Sequence, residues 1–309
     1  MIYTVTLNPS IDYHVWIPAI QEGTIHQVQK EWKDAGGKGL NVSKVLKILG
    51  MESTALGFVG GFTGDFIKKQ IIQAEIIQEF IPIEQDSRIN LKIKAENETD
   101  ISGVSPEIPA DALHKLLAQI DQLVEDDSLV LAGSVPASVP EDIYQVIMRR
   151  ISGKGINVFL DAKGDALLDG LSEKPFLIKP NHHELGEIFG VTISSEMEAI
   201  TYGRKAVELG AQQVIVSLAG EGAVYVNAEE AYIATFPNGE PVNSIGAGDS
   251  MVAGFLYSHT VTRNPEEAFR FAVAAGSTTA LSEGFCTHEK IKRFLPSLTI
   301  KKERFERGN

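Results

Sequence analysis

The sequence predicts an α/β protein in which a mainly parallel sheet lies between two layers of helices. Short apolar segments alternate with longer amphipathic segments along most of the chain, which is the pattern of strands joined by helices. Most short segments are apolar throughout, as expected for strands covered on both faces. The 309 residues, 43% of them hydrophobic, suffice for a sizeable core. We expect one large domain with an appendage.

The predicted elements follow one another in a regular order. Six short apolar segments are predicted as strands: 2–7, 53–58, 128–132, 156–160, 176–178 and 213–217. Six amphipathic segments between them are predicted as helices: 41–49, 64–74, 110–124, 141–151, 181–189 and 197–209. The remaining elements are an antiparallel hairpin at 223–226 and 231–236 and helices at 248–259, 265–282 and 288–294.

Two segments depart from this alternation. Residues 24–33 and 89–95 alternate apolar and polar side chains, most regularly at Ile89, Leu91 and Ile93. A strand with one face in water does not belong in a sheet that is covered on both faces. We therefore predict a small separate sheet that serves as a lid or an interface. Because its edges need a cover, we expect a partner subunit there.

The composition limits the classes of function. The chain has 28 lysines and arginines against 41 aspartates and glutamates, a formal charge of −13, which would repel nucleic acid and anionic lipid. One cysteine, Cys286, allows no intramolecular disulfide and fits a reducing compartment. The first residues lack the pattern of a signal peptide, and no apolar run is long enough to span a bilayer. We expect a cytoplasmic protein, with the basic end at 289–309 as a solvated tail.

A glycine-rich turn at 243–255 carries the strongest local signal. Gly246 and Gly248 allow a sharp turn and close approach to a ligand, just before an apolar helix. The amides of Ala247, Gly248 and Asp249 would form an anion site at the helix N-terminus. A carboxylate beside such amides suits removal of a proton from an alcohol that attacks a bound phosphoryl group. The alternative role for Asp249 is a plain N-cap.

A second glycine-rich segment lies at 35–43. Three glycines within four positions invite backbone contact with a ligand, and Lys38 adds a positive charge. Gly39 stands where a Walker A loop has serine or threonine, so this is not such a loop. Asn41 is either a helix N-cap or a ligand-binding residue, and the segment alone leaves both open.

These two segments resemble the signature segments of the PfkB, or ribokinase-like, family of carbohydrate kinases. Thr-Leu-Asn-Pro-Ser-Ile-Asp at 6–12 resembles the branch of 1-phosphofructokinases and tagatose-6-phosphate kinases. The resemblance covers essentially the whole chain. It implies a ribokinase-like three-layer α/β/α sandwich as a single domain, 1–309, with a small β lid over the sugar that often forms a dimer interface. Segments 12–34 and 84–104 would form that lid.

The resemblance also implies residue roles at the sugar. Asp249 would be the general base, and Gly246, Ala247 and Gly248 the anion hole for the transferred phosphoryl group. The residues implied for the substrate are Asp12, Gly36, Gly37 and Asn41 along the sugar, Lys38 and Arg88 on its phosphate, and Ser134. Guanidinium and ammonium groups both suit phosphate oxygens. The alternatives are a turn residue for Asp12 and a solvated charge for Arg88.

Further roles concern ATP and its metal ion. Lys179–Glu184 resembles the family's N-x-x-E element, in which Asn181 and Glu184 would hold Mg²⁺ through water. A capping box is the alternative for these two residues, and both roles are compatible. The residues implied for the nucleotide are Lys179, Ser217, Gly220, Gly222 and Ser277.

The resemblance implies ATP- and Mg²⁺-dependent phosphorylation of a ketohexose monophosphate, fructose 1-phosphate first and tagatose 6-phosphate second. Two departures from the family pattern, Ala137-Ser138 and Ala162-Lys163-Gly164, bear on which sugar binds. A non-catalytic sugar-phosphate sensor is the alternative of another class, although Asp249 and its glycine turn are intact. A dinucleotide-dependent oxidoreductase is disfavoured, because no G-x-G-x-x-G follows the first strand.

Overall fold

The computed structural model describes residues 1–236, Val242 and 245–304. Within these residues the strands are, in chain order, β1 (Ile2–Thr6), β2 (Ser10–Trp16), β3 (Lys30–Gly36), β4 (Thr54–Gly60), β5 (Ile77–Gln78), β6 (Ile81–Ile83), β7 (Arg88–Lys94), β8 (Glu98–Ile101), β9 (Ser128–Ala132), β10 (Asn157–Asp161), β11 (Leu177–Ile178), β12 (Gln213–Ser217), β13 (Ala223–Asn227), β14 (Glu230–Thr235) and β15 (Thr299–Arg304).

The α-helices of the same residues are α1 (Lys38–Ile48), α2 (Gly61–Gln73), α3 (Ala110–Asp121), α4 (Ile143–Arg150), α5 (Asp165–Leu171), α6 (His182–Phe189), α7 (Glu196–Glu208), α8 (Ala247–Thr262), α9 (Pro265–Ala280) and α10 (His288–Phe294). None of the helices within the described ranges combines the length and the hydropathy needed to cross a bilayer.

The large sheet is mainly parallel, as the sequence predicts. Its strands lie in the order β15, β14, β13, β12, β11, β10, β9, β1, β4, β5, with β6 also paired to β4. The strands from β12 to β5 run parallel, whereas β13, β14 and β15 continue the sheet in antiparallel fashion. The predicted hairpin after residue 217 is confirmed as β13 and β14.

Strand β9 shows why the sequences of the core strands are apolar at nearly every position. Leu129 and Leu131 face an apolar cluster formed with α3 to α7, and Val130 and Ala132 face a second cluster formed with α1, α8, α9 and α10. All four side chains are fully buried. The sheet therefore has helices on both faces, and the prediction of a three-layer sandwich is confirmed.

A separate four-stranded sheet, here called the small sheet, has the strand order β3, β2, β7, β8. Strand β2 pairs parallel to β7, and the two outer pairs are antiparallel. The strand expected at 24–33 is placed too early, because the pairing begins only at Lys30. Strands β2 and β8 were not predicted, although β2 carries a period-two pattern at Ile11, Tyr13 and Val15 that is typical of a strand. Two expectations stay predictions. One is that residues 12–34 and 84–104 act as a lid, and the other is that residues 1–309 form one domain.

Two further differences concern a short helix and the basic end of the chain. Helix α5 was not predicted because it has only seven residues, although Leu167 and Leu171 on it are buried. The solvated tail is wrong for Thr299–Arg304, which forms edge strand β15 against β14. An edge strand uses backbone hydrogen bonds and tolerates charged side chains, so its sequence looks like a tail. Residues 305–309 lie outside the described part.

We predict that Gly57→Ala destabilises the protein by about 2–4 kcal/mol, from strain at a left-handed φ and from overpacking. Gly57 has φ 145°, and a Cβ there would overlap the Thr6 carbonyl on the neighbouring strand. Gly50→Ala is the control, because Gly50 has φ 82° but open space around it. Urea unfolding checks both variants; equal losses would contradict the overlap argument.

Candidate active site

One cavity of about 940 Å³ lies at the carboxyl ends of the parallel strands and against the small sheet. Thr6, Ala132, Asp161 and Ser217, the last residues of β1, β9, β10 and β12, all line it, as does Lys179 just after β11. In open α/β sheets ligands bind in this crevice. The sequence-predicted site residues that line the cavity are Asp12, Gly37, Lys38, Asn41, Arg88, Ser134, Lys179, Asn181, Glu184, Ser217, Gly220, Gly222, Gly246, Ala247, Gly248, Asp249 and Ser277.

Asp249 lies in the first turn of α8, buried and facing the cavity. Gly246 occupies the N-cap with φ 76°, a left-handed conformation that glycine adopts readily. The alternative that Asp249 is itself the N-cap is therefore wrong. Its carboxylate Oδ2 accepts a hydrogen bond from Asn41 Nδ2 at 2.8 Å. Residues 243 and 244, at the start of the glycine-rich turn, lie outside the described part.

Burial raises the pKa of Asp249 to about 6, and the negative charge of Asp161 adds to the rise. Lys38, the hydrogen bond from Asn41 and Lys179 act in the opposite direction. A carboxyl with such a pKa is mostly ionised at neutral pH, yet is a stronger base than an exposed aspartate. The arrangement suits Asp249 to remove a proton from an alcohol.

Asn41 and Lys38 both belong to α1, which begins directly after the glycine pair. Gly37 is the N-cap with φ 127°, where a side chain would be strained and would meet the Thr6 methyl. Helix α1 thus starts at Lys38, and Asn41 lies one turn inside it. The N-cap alternative for Asn41 is therefore wrong, and its amide is free to hold Asp249.

A buried carboxylate that the sequence analysis did not select lies between two lysines. Asp161 Oδ1 is 3.0 Å from Lys38 Nζ and 3.6 Å from Lys179 Nζ. Burial alone would raise the pKa of Asp161, but the two lysines hold it below the ordinary value. The other oxygen, Oδ2, is buried without a hydrogen-bond partner among the described residues. The sequence could have indicated Asp161 through its position, because this residue ends a buried parallel strand.

The small sheet supplies a second polar cluster around Asp12. This aspartate is buried in β2 rather than in a turn, so the turn alternative is wrong. Its Oδ1 accepts hydrogen bonds from Ser10 Oγ at 2.8 Å and from Asn90 Nδ2 at 3.0 Å. Gly36 does not line the cavity, but a side chain there would overlap the Asp12 carboxylate. Asn90 was missed, although it lies two residues after Arg88 on the same face of β7.

Arg88 is partly buried at the start of β7 and is not a solvated charge. Its Nη2 donates to the Asn8 carbonyl oxygen at 3.2 Å, and its Nε is buried without a partner in the part of the chain that is described. Burial lowers the pKa of Arg88 and Asp12 opposes that change. Asn8 Nδ2 also donates to Ser134 Oγ at 3.4 Å. These groups form a polar wall near the small sheet.

The opposite end of the cavity is lined by small residues. Ser217 and Gly220 lie at the end of β12 and in the turn after it, and Ser277 lies on α9. Gly222 has φ 116°, and a side chain there would overlap the Ala234 carbonyl of the adjacent strand. The fold itself therefore requires glycine at 222, while the open turn leaves room for a ligand.

The Asn181–Glu184 pair forms the expected capping box at the start of α6. Asn181 Oδ1 accepts from the Glu184 amide at 2.8 Å, and Glu184 Oε2 accepts from the Asn181 amide at 2.9 Å. Both side chains also line the cavity, with the second oxygen of Glu184 outside these bonds. No group of three or more His, Cys, Asp or Glu in the described residues could hold a metal. This donor set fits an ion that keeps most of its waters, as Mg²⁺ does.

The two departures from the family pattern have different surroundings. Ala162 and Lys163 line the cavity beside Asp161. Ala137 and Ser138 are not among the lining residues, and Ser138 Oγ instead accepts a hydrogen bond from the Ile108 amide at 2.9 Å. Of the two, the departure at 162–163 is the one in contact with the site.

Comparison with known proteins agrees with this geometry. Residues 5–291 match the family described as pfkB family carbohydrate kinase. The chain is 47% identical to a 1-phosphofructokinase of Bacillus subtilis over 97% of this chain and 99% of that protein. It is 35% identical to a D-tagatose-1-phosphate kinase of Bacillus licheniformis, over 97% and 99% of the two chains. The crystal structure of phosphofructokinase-2 from Escherichia coli in complex with substrates and products aligns with TM-score 0.90 at 27% identity, covering 96% and 98%.

The chain therefore belongs to the PfkB family of carbohydrate kinases, as its two glycine-rich segments indicate. It is an enzyme of the sugar-kinase class, which transfers a phosphoryl group from ATP to an alcohol.

We predict that Asp249→Asn makes the folded protein more stable than wild type above pH 6. The pKa of Asp249 is about 6 when folded and near 3.8 when unfolded, so the native carboxyl binds its proton more tightly. Wild type then loses stability as pH rises from about 4 to 6, by about 3 kcal/mol at most. Urea unfolding of both proteins at pH 4.5 and 7.5 measures the difference, and a difference that does not grow with pH would contradict the raised pKa.

Proposed function

We propose that the protein transfers the γ-phosphoryl group of ATP to a hydroxyl of a ketohexose monophosphate, with fructose 1-phosphate as the preferred substrate. The observation that carries the proposal is the buried Asp249 carboxylate. It faces the cavity, is held by Asn41, and stands beside the amides of the first turn of α8. This set supports a general base placed next to an anion site.

The proposed course of the reaction follows from these groups. The acceptor oxygen attacks the γ-phosphorus as the bond from that phosphorus to the bridging oxygen of ADP breaks, and Asp249 takes the proton of the acceptor hydroxyl. The N-terminal amides of α8 stabilise the charge on the phosphoryl oxygens. Gly246, Ala247 and Gly248 leave these amides accessible. The small sheet would cover the sugar and exclude water, which otherwise would consume ATP.

Recognition of the sugar is assigned to the small sheet. Asp12, oriented by Ser10 and Asn90, accepts hydrogen bonds from sugar hydroxyls, and Asn41 lies along the sugar. Arg88 binds the phosphate already on the substrate, and its unpartnered Nε supports this role. A guanidinium of this kind would have no purpose for a neutral sugar.

The names of the two relatives described above favour a phosphate at carbon 1. The relatives at 47% and 35% identity are named for fructose 1-phosphate and D-tagatose 1-phosphate chemistry, respectively. These two sugars differ only in the configuration at carbon 4, so one orientation in the cavity serves both. Tagatose 6-phosphate, the second substrate expected from the sequence, would have to bind in the reverse direction.

Nucleotide and metal are assigned to the opposite end. Lys179, Ser217, Gly220, Gly222 and Ser277 border ATP. Asn181 and Glu184 would hold Mg²⁺ through its waters, and their engagement in the capping box supports that indirect contact. When bound, Mg²⁺ offsets negative charge on the ATP phosphates.

Release of ADP over a panel of acceptors tests the proposal. We expect the highest kcat/KM with fructose 1-phosphate, lower values with D-tagatose 1-phosphate and tagatose 6-phosphate, and little with fructose 6-phosphate or ribose. Phosphorus NMR of the product identifies the phosphorylated carbon. Binding of a sugar phosphate by calorimetry without any ADP release would instead support the non-catalytic sensor.

Asp249→Asn should lower kcat by about 10²–10⁴-fold and leave ATP affinity nearly unchanged, because only the proton acceptor is lost. Asp65→Asn, an exposed position on α2, is the matched control and should keep wild-type turnover. Normal turnover by Asp249→Asn would contradict the assigned base.

We further propose that the protein is a cytoplasmic homodimer joined through the small sheet. On its outer face Ile89 and Ile101 are 42% and 53% exposed, and β3 and β8 are open edges. An exposed apolar strip beside open edges favours pairing with a second copy.

The buried free thiol of Cys286 and the use of ATP fit the cytoplasm.

Light scattering after gel filtration should give twice the 33.6 kDa of one chain. The double variant Ile89→Lys, Ile101→Lys should elute as a monomer, because charged groups on the strip oppose burial. Val104→Lys, at a side chain 91% exposed beyond β8, is the control and should stay dimeric. A dimeric double variant would exclude this face as the interface.

A further inference from the structure

A buried chain of hydrogen bonds behind the cavity, here called the Thr279 chain, joins three segments of the fold. The Thr279 hydroxyl, in the last turn of α9, donates to Ser250 Oγ at 2.8 Å and accepts from the Cys286 amide at 2.9 Å. All three residues are at most 1% exposed, and none is among the residues that line the cavity. The chain therefore acts on the first turn of α8, to which Ser250 belongs, and not on a ligand.

The first turn of α8 is held from behind at two points. The Ser250 amide donates to the Gly246 carbonyl oxygen at 2.8 Å, which closes the turn. Gly246 also lies against the ring of Phe285, because a Cβ at Gly246 would come within 2.6 Å of Cε1 of that ring. The segment after α9 thus contacts the turn directly through Phe285 and indirectly through the Thr279 chain.

The start of α8 depends on such contacts. Its N-cap is a glycine, and no side chain caps its amides. Open amides are what the proposed anion site requires, but they leave the helix start without the stabilisation that a side-chain cap supplies. Contacts behind the turn can fix it without occupying the amides.

The neighbouring Thr278 shows that the Thr279 hydroxyl has a different use. Thr278 Oγ1 donates to the Ala274 carbonyl oxygen at 2.7 Å, one turn back in its own helix, which is a common bond for a threonine inside a helix. Thr279 instead donates out of its helix to α8. Its two partners, a hydroxyl and an amide that are both buried, make loss of this hydroxyl unfavourable.

We propose that Thr279 is a positioning residue for phosphoryl transfer. Acting through Ser250, it fixes the first turn of α8, and with it the Asp249 carboxylate and the amides that would meet the phosphoryl group. The inference rests on the proposed function. A displacement of about 1 Å can cost about 100-fold in rate, because catalysis depends on the mutual orientation of the reacting groups. The groups assigned to the sugar, Asp12 and Arg88, lie on the small sheet, so sugar binding should not depend on Thr279.

Thr279→Val tests the proposal, since valine has nearly the shape of threonine but no hydroxyl. We expect kcat to fall at least about tenfold, with KM for fructose 1-phosphate changed less than about threefold. Thr278→Val is the matched control, because the Thr278 hydroxyl bonds to carbonyls of its own helix, and it should keep kcat within about twofold. Equal kcat values for the two folded variants would overturn the proposal.

Two further variants separate positioning from a loss of packing. Thr279→Ser keeps the hydroxyl and should recover most of the lost kcat, whereas no recovery would contradict a role for the hydrogen bond. Ser250→Ala breaks the same chain and should lower kcat about as much as Thr279→Val. The variant that combines Thr279→Val with Ser250→Ala should be no slower than the slower single variant, and multiplied losses would contradict action through Ser250.

Thermal unfolding of each variant shows whether it is folded. If Thr279→Val does not fold, Ser250→Ala takes its place beside Thr278→Val, and normal turnover by Ser250→Ala would overturn the proposal. Wild type without sugar-dependent ADP release would refute the proposed function itself. An active wild type with unaffected kcat in Thr279→Val would refute only this inference.

Discussion

The chemistry that we propose for this protein depends on two carboxylates that are buried in the same crevice. Asp249 and Asp161 repel one another, and the repulsion adds to desolvation in keeping the pKa of Asp249 near 6. Lys38 and Lys179 keep Asp161 ionised, so the repulsion between the two carboxylates raises the pKa of Asp249 only. A solvated aspartate would be a much weaker base. The stability that is given up at Asp249 is therefore the physical basis of the general-base role that we propose for it.

The parallel sheet makes this arrangement possible. Asp161 and Lys179 come at or just after the carboxyl ends of neighbouring strands, while Lys38 and Asp249 lie in the first turns of α1 and α8. The two helices pack on the same face of the sheet and start at its carboxyl edge, so their N-terminal amides face one cavity. Each helix begins with a glycine at positive φ, Gly37 or Gly246, which turns the chain without a side chain in the way.

The small sheet gives the site its other wall. Its polar face carries Asp12 and Asn90 into the cavity, whereas its apolar face presents Ile89 and Ile101 to the outside. The period-two pattern thus places polar side chains on the face that lines the cavity and apolar side chains on the face where we propose a second subunit. Relatives of 47% and 35% identity are named for different phosphorylated sugars, and Ala162 and Lys163 lie in the wall of the cavity, where we propose that sugar preference arises.

The sequence by itself determined the layer architecture and the two glycine-rich helix starts, because buried strands, amphipathic helices and sharp turns depend on local residue patterns. Of the site residues that it indicated through short motifs, all but Gly36 line the cavity. Only the tertiary structure decided that Asn41 holds Asp249, that Asp161 joins Lys38 to Lys179, and that Thr299–Arg304 is a strand rather than a tail. These facts depend on contacts between residues up to 208 positions apart, or on backbone pairing at a sheet edge, which local patterns do not encode.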